Sequence, residues 1–178
     1  SNDDTLNLYA YKQQQLSQLM KNPGTGTRGK IGIPMVLNMY ELLPFWHAFF
    51  TNLGFQVIVS PFSNRKLYQT GQGSIPSDTV CFPAKLTHGH IMALLKKDVD
   101  AIFYPCMSYN VDEGLGDNHY NCPVVAYYPE VLAGNIRELE DTKFIYEYLN
   151  LEQRKDFVRL MPKIMQKYFP DLKTADIH

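Results

Sequence analysis

The spacing of apolar positions along this chain changes several times, and each change marks an element. In residues 5–21, Tyr9, Leu16, Leu19 and Met20 fall on or near one face, which predicts an amphipathic helix. NPGTGTRG (22–29) interrupts that pattern with one proline and three glycines and reads as a flexible linker. From Lys30 onward, strand-like and helix-like patterns alternate. KIGIPMVL reads as a buried strand. YELLPFWHAFFTNLG reads as a helix turning Leu42, Phe45, Trp46, Phe49, Phe50 and Leu53 towards a core, closed by Gly54. FQVIVS is the next strand. A polar stretch with Leu67 and Tyr68 follows, then a cysteine-containing turn at 78–83. AKLTHGHIMALLKK is a helix, DAIFYP a strand, and PVVAYY a further strand after a loop. This alternation predicts an α/β fold, an open, mostly parallel, Rossmann-like sheet with helices on both faces.

Beyond about residue 131 the pattern reads as purely helical. Phe144, Ile145, Tyr148 and Leu149 make one stripe, and Phe157, Leu160, Met161, Ile164, Met165 and Tyr168 a longer one. Asn150 and Gln153 have the spacing of a cap for the second helix, and Pro162 is a candidate kink. The expected organisation is an N-terminal helix and linker (1–29), an α/β domain (30–135) and a helical extension of the same unit (136–178).

Composition narrows the partners. With 178 residues, 45% hydrophobic and 20% charged, the chain suits one globular domain with a real core. A net charge of -1 offers no electrostatic footprint for nucleic acid or an anionic membrane. No apolar run approaches the ~20 residues of a membrane span. The polar, acidic start SNDDTLNLYAY does not resemble a signal peptide, so the cytoplasm, with reduced thiols, is the expected compartment. Ser1-Asn2 reads as a cloning remnant, from which a piece of a longer protein is expected.

The candidate chemistry centres on three cysteines, each beside a proline at the edge of an element: Cys81 in SDTVCFPAK, Cys106 in AIFYPCMSY and Cys122 in HYNCPVVAYY. Cys81 is expected just before a helix that Pro83 opens, where the helix dipole and Lys85 favour a thiolate. Cys106 is expected at the carboxyl end of a strand, on the same sheet edge. Cys122, placed before a strand, is expected at the opposite, amino edge, as a ligand or a small buried apolar residue. Asn38 and Glu41 have capping-box spacing after the first strand, so Asn38 reads as a plain cap or as a ligand-binding group. Gly24, Gly29 and Lys30 match a phosphate-loop spacing, but Ile31 lacks the hydroxyl and a strand follows instead of a helix. His88 and His90 lie two apart on a helix and cannot chelate together, and His90 reads as a packing residue. His119, with Asp112, Glu113 and Asp117, reads as part of a solvated loop. A structural zinc site lacks any C-x-x-C pair.

The segments IGIPMVLNMYELLPFWHAFFTNLGFQVIVSPFSNRKLYQTG, IPSDTVCFPAKLTHGHIMALLKKDVDAIFYPCM and YNCPVVAYYPEVL resemble a domain of unknown function found in large bacterial CoA-substrate-specific enzyme activase-like proteins. There the domain accompanies ATPase modules akin to the activator of 2-hydroxyglutaryl-CoA dehydratase. More distantly the pattern is similar to 2-hydroxyacyl-CoA dehydratase subunits, whose Rossmann-like domains carry a cysteine-ligated [4Fe-4S] cluster. The resemblance implies Cys81 and Cys106 as cluster ligands and leaves Cys122 without a dehydratase counterpart. It implies ATP on a neighbouring activase domain, a second α/β domain that shares the cluster, and a CoA thioester as the substrate type. It implies electron transfer within such a system. The alternative from another class is a cluster-free scaffold that docks neighbouring domains.

Overall fold

In the computed structural model, which describes residues 7–108 and 120–177, the first helix α1 (Leu8–Lys21) starts at Asn7, whose side chain accepts the Ala10 amide at 3.0 Å. There follow β1 (Lys30–Ile33), α2 (Leu37–Asn52), β2 (Gln56–Val59), α3 (Arg65–Gly71), α4 (Phe82–Leu95), β3 (Ala101–Phe103), α5 (Pro123–Asn135), β4 (Lys143–Ile145), α6 (Arg154–Tyr168) and α7 (Thr174–Ile177). The strands lie in the order β2-β1-β3-β4, and every pairing is parallel. This is the α/β architecture expected from the alternating pattern.

Alternation along β3 separates the two faces of the sheet. Phe103 packs on Trp46 and Phe50 of α2, with ring centroids 4.5 and 4.9 Å apart. Phe157 of α6 joins the same aromatic cluster through Phe45 and Phe49. On the opposite face, Gly32 of β1 approaches Leu94 of α4, and His88 of α4 bonds Tyr128 of α5. Helices α2 and α6 therefore cover one face, and α4 and α5 the other.

Four local expectations are corrected. PVVAYY is not a strand but the start of α5. A short apolar run does not distinguish a strand from a buried helix, and here Pro123 opens a helix that buries Ala126, Tyr128, Pro129 and Leu132. The region after residue 131 is not purely helical, because Phe144 and Ile145 belong to β4, which extends the sheet beside β3. Segment 22–29 is not a free linker: Pro23 O accepts the Val57 amide at 2.7 Å, and the Arg28 amide donates to Gly54 O. It thus covers the outer edge of β2, which would otherwise stay unpaired. Finally, neither predicted cap forms. Helix α2 starts one residue before Asn38, and α6 starts after Gln153, while Asn150 bonds only the nearby Glu152 amide.

The closest helix contact is between α3 and α4. A Cβ on Gly71 would run into the Gly89 backbone, and one on Gly89 would strike the Leu67 carbonyl. Both glycines are buried, and the atoms in the way are backbone, which has little freedom to shift. We expect Gly89→Ala to destabilise the fold by about 3 kcal/mol or more, at the upper end of overpacking effects. Urea denaturation of the variant against the native chain checks this. Gly73→Ala, whose Cβ meets nothing within 4 Å, serves as the neutral comparison.

Candidate functional site at the carboxyl edge of the sheet

In a parallel sheet each strand ends, and each crossover helix begins, at one edge, where open α/β proteins bind ligands. All three cysteines lie along this edge. Cys81 is the N-cap of α4 (φ -60°, ψ 148°) and Cys122 the N-cap of α5 (φ -61°, ψ 149°), each followed by a proline in the first helical turn. The two have nearly the same backbone conformation, and both are exposed. Cys122 Sγ accepts the Val125 amide at 3.4 Å, whereas Cys81 makes no cap bond. The expected position of Cys122 at the amino edge is corrected for the same reason that α5 replaces a strand: a helix following β3 must begin where β3 ends.

Cys106 shares the edge but not the exposure. Its amide donates to Glu147 O at 3.1 Å and its carbonyl accepts the Leu149 amide at 2.9 Å, so the β3–β4 pairing continues past the strand ends. The residue is 1% exposed. Burial pushes its thiol up to about 12, and the Glu130 and Glu147 carboxylates add to that rise. Glu130 also accepts a hydrogen bond from the Tyr148 hydroxyl. Among the described residues, no three His, Cys, Asp or Glu side chains are gathered closely enough to hold a metal ion.

Two tyrosines stand between Cys81 and Cys106. Burial, and then the charge of Cys81, hold the Tyr128 hydroxyl up at about 12. Burial, then Cys106 and Tyr128, raise Tyr104 further. The Tyr104 hydroxyl is fully buried and has no hydrogen-bond partner among the described residues.

The two histidines of α4 are each held through both ring nitrogens. Ser74 donates to Gly71 O at 3.0 Å, so it accepts from His88 Nδ1–H at 2.8 Å, and His88 Nε2 accepts the Tyr128 hydroxyl at 2.8 Å. Ser60 Oγ accepts the Met35 amide at 2.7 Å and is hydrogen-bonded to His90 Nδ1, while His90 Nε2 is hydrogen-bonded to Ser63 Oγ at 2.9 Å. His88 and His90 thus face different partners, as their spacing predicts. Desolvation by burial holds both imidazoles down at about 4.

The chain reverses direction across the sheet between β1 and β3, which makes the end of β1 the switch point. There Leu37 has a positive φ of 48°, and the N-cap Val36 makes no side-chain bond. Asn38, 8% exposed, has neither its amide nitrogen nor its oxygen paired among the described residues. A cavity of about 290 Å³ opens at this turn, lined by Leu37, Tyr40, Phe62, Ser63 and Pro83 among others, with Asn38 not among its lining residues. His119, Asp112, Glu113 and Asp117 lie outside the described residues. Ser60, Ser63, Ser74 and the two tyrosines were not singled out in the sequence. Tyr128 becomes visible once 123–135 is read as a helix.

Fold and edge together define an open parallel α/β domain that carries cysteine thiols at the carboxyl edge of its sheet. Residues 30–178 match the family model of the CoA enzyme activase uncharacterised domain (DUF2229), and the chain belongs to that family. Comparison with curated proteins and with solved structures finds no match.

Two outcomes follow from the burial pattern. In the native chain a thiol reagent such as dithionitrobenzoate should modify Cys81 and Cys122 quickly, with Cys106 reacting only on unfolding. Stopped absorbance readings with single Cys→Ser variants assign each phase. Stability should also fall with acid. The unfolded chain protonates its histidines below pH ~6.5, while the folded state resists to about 4. The stabilisation is therefore complete above pH ~6.5 and is lost as the pH drops through this window, at roughly 1 kcal/mol per pH unit for each histidine. Denaturation midpoints at pH 7.5, 6 and 4.5 check it, and His90→Gln should weaken the dependence.

Proposed function

We propose that this domain serves an ATP-coupled iron–sulfur electron-transfer system, holding a [4Fe-4S] cluster through Cys81, Cys106 and Cys122 and leaving ATP to a neighbouring activase domain. The observation that carries the reading is topological: two helix N-caps and one strand end bring three cysteines from separate parts of the chain to a single sheet edge. Membership of the CoA enzyme activase domain family agrees with it. The thiolate donor type suits the group, but the three thiols are not gathered as they stand, so ligation would require them to close together.

When bound, the cluster supplies low-potential one-electron chemistry. The residues of the chain do the rest. The outward amides at the starts of α4 and α5 complement the negative charge of a thiolate-ligated cluster. Glu130 and Glu147 oppose ionisation of Cys106, so ligation there demands that this thiol give up its proton against two carboxylates. Asn38, whose buried side-chain amide is unpaired among the described residues, would have to be uncovered to meet a substrate carbonyl such as that of a CoA thioester. A second α/β domain of the full-length protein is the partner that completes the site.

A second reading, a cluster-free docking domain, is favoured by the burial of Cys106 among carboxylates. Anaerobic reconstitution with iron and sulfide separates the two. We expect roughly four irons per chain with cluster absorption in the visible, lost in Cys81→Ala and in Cys106→Ala. No iron uptake by the folded full-length protein, or uptake unchanged in the double variant, supports the docking domain instead.

A further inference from the structure

We propose that the groove between α2 and α6 binds an amphiphile with an apolar tail and an anionic head, a ligand unconnected with the cysteines. The groove has a volume of about 440 Å³ and is walled chiefly by Leu42, Phe45, Phe49, Phe157 and Met161, with Arg154 as its one charged wall. That size and lining are those of a small-molecule pocket, apolar throughout with a single polar anchor. Its walls are held by mutual edge-to-face packing: Phe157 lies 5.6 Å from Phe45 and 5.9 Å from Phe49, centroid to centroid. Phe45 nevertheless remains 44% exposed, so the concavity is open to solvent.

Charge identifies the head. An open hollow of about 780 Å³ adjoins the groove, shares Arg154 with it and adds Lys155, Arg159 and Lys163. Helix α6 carries five cations against the single carboxylate Asp156, within a chain of net charge -1. Asp156 pairs with Arg159 and Glu147 with Lys167, while among the described residues no carboxylate pairs with Arg154, Lys155 or Lys163. A neutral apolar ligand would leave these cations unused, and a simple anion would leave the aromatic groove unused. An apolar tail ending in a carboxylate or phosphate uses both. A partner helix, by contrast, needs a row of apolar anchor sites along its length, more than this volume holds.

The only tryptophan, Trp46, packs on Phe45, Phe49 and Phe157 and so reports on the groove. Decanoate and decyl phosphate, titrated below their micelle concentrations, should each change its fluorescence saturably, with heat evolution by calorimetry at the same midpoint. Decanol, and either anion with the Arg154→Gln/Lys163→Gln variant, should bind about tenfold or more weakly, the loss expected for a charge-assisted contact. Comparing the two anions tells a carboxylate from a phosphate head. Binding of decanol equal to the anions, an unchanged affinity in the variant, or no saturation would overturn the proposal. So would binding to anionic vesicles without binding to the monomeric amphiphiles, which would make the surface a membrane contact. Because none of the groove residues belongs to the sheet edge, loss of the iron site leaves these outcomes unaffected.

Discussion

Helix α4 is held by three consecutive buried residues, His88, Gly89 and His90, and most of the candidate site takes its position from that clamp. His88 ties the helix to the turn at Ser74 and to α5 through Tyr128. Gly89 lets α3 lie backbone to backbone against it. His90 reaches the loop after β2, where Ser60 in turn holds the Met35 amide beyond β1. Successive residues on a helix point about 100° apart, so three in a row can be buried only when neighbours close in on three sides. The helix therefore has little freedom to rotate or slide, and its N-cap, Cys81, is fixed with it.

The parallel sheet supplies the second constraint. Each crossover must return the chain to the amino edge before the next strand, which sends every helix N-terminus to the opposite edge. Three cysteines far apart in sequence then share that edge without any local motif. Their environments still differ. Two sit at open helix ends in matching backbone conformations, while the third lies under Glu130 and Glu147 between β3 and β4. Cysteines that look equivalent in sequence are thus two accessible thiols and one that burial keeps protonated.

The same molecule has a second, chemically unrelated surface. The aromatic cluster joining α2 to α6 stabilises the far face of the sheet, but it does not close over itself, and the cations of α6 line its rim. Packing alone would have favoured filling that hollow, since buried apolar area stabilises and exposed apolar area does not.

The sequence alone determined the α/β class, the strands at Lys30, Gln56 and Ala101, the helices at α1, α2 and α4, and the placing of Cys81 and Cys106 along one edge. These rest on local spacing over long segments and on the handed geometry of crossovers, both legible without a structure. Only the tertiary structure decided the rest. PVVAYY and the stretch around Phe144 are apolar runs too short for their period to be read, and packing against His88 or beside β3 chose helix for one and strand for the other. That choice carried Cys122 across the sheet. The burial of Cys106 and the hydrogen-bond partners of His88 and His90 likewise depend on groups brought from distant parts of the chain, whose proximity no local pattern encodes.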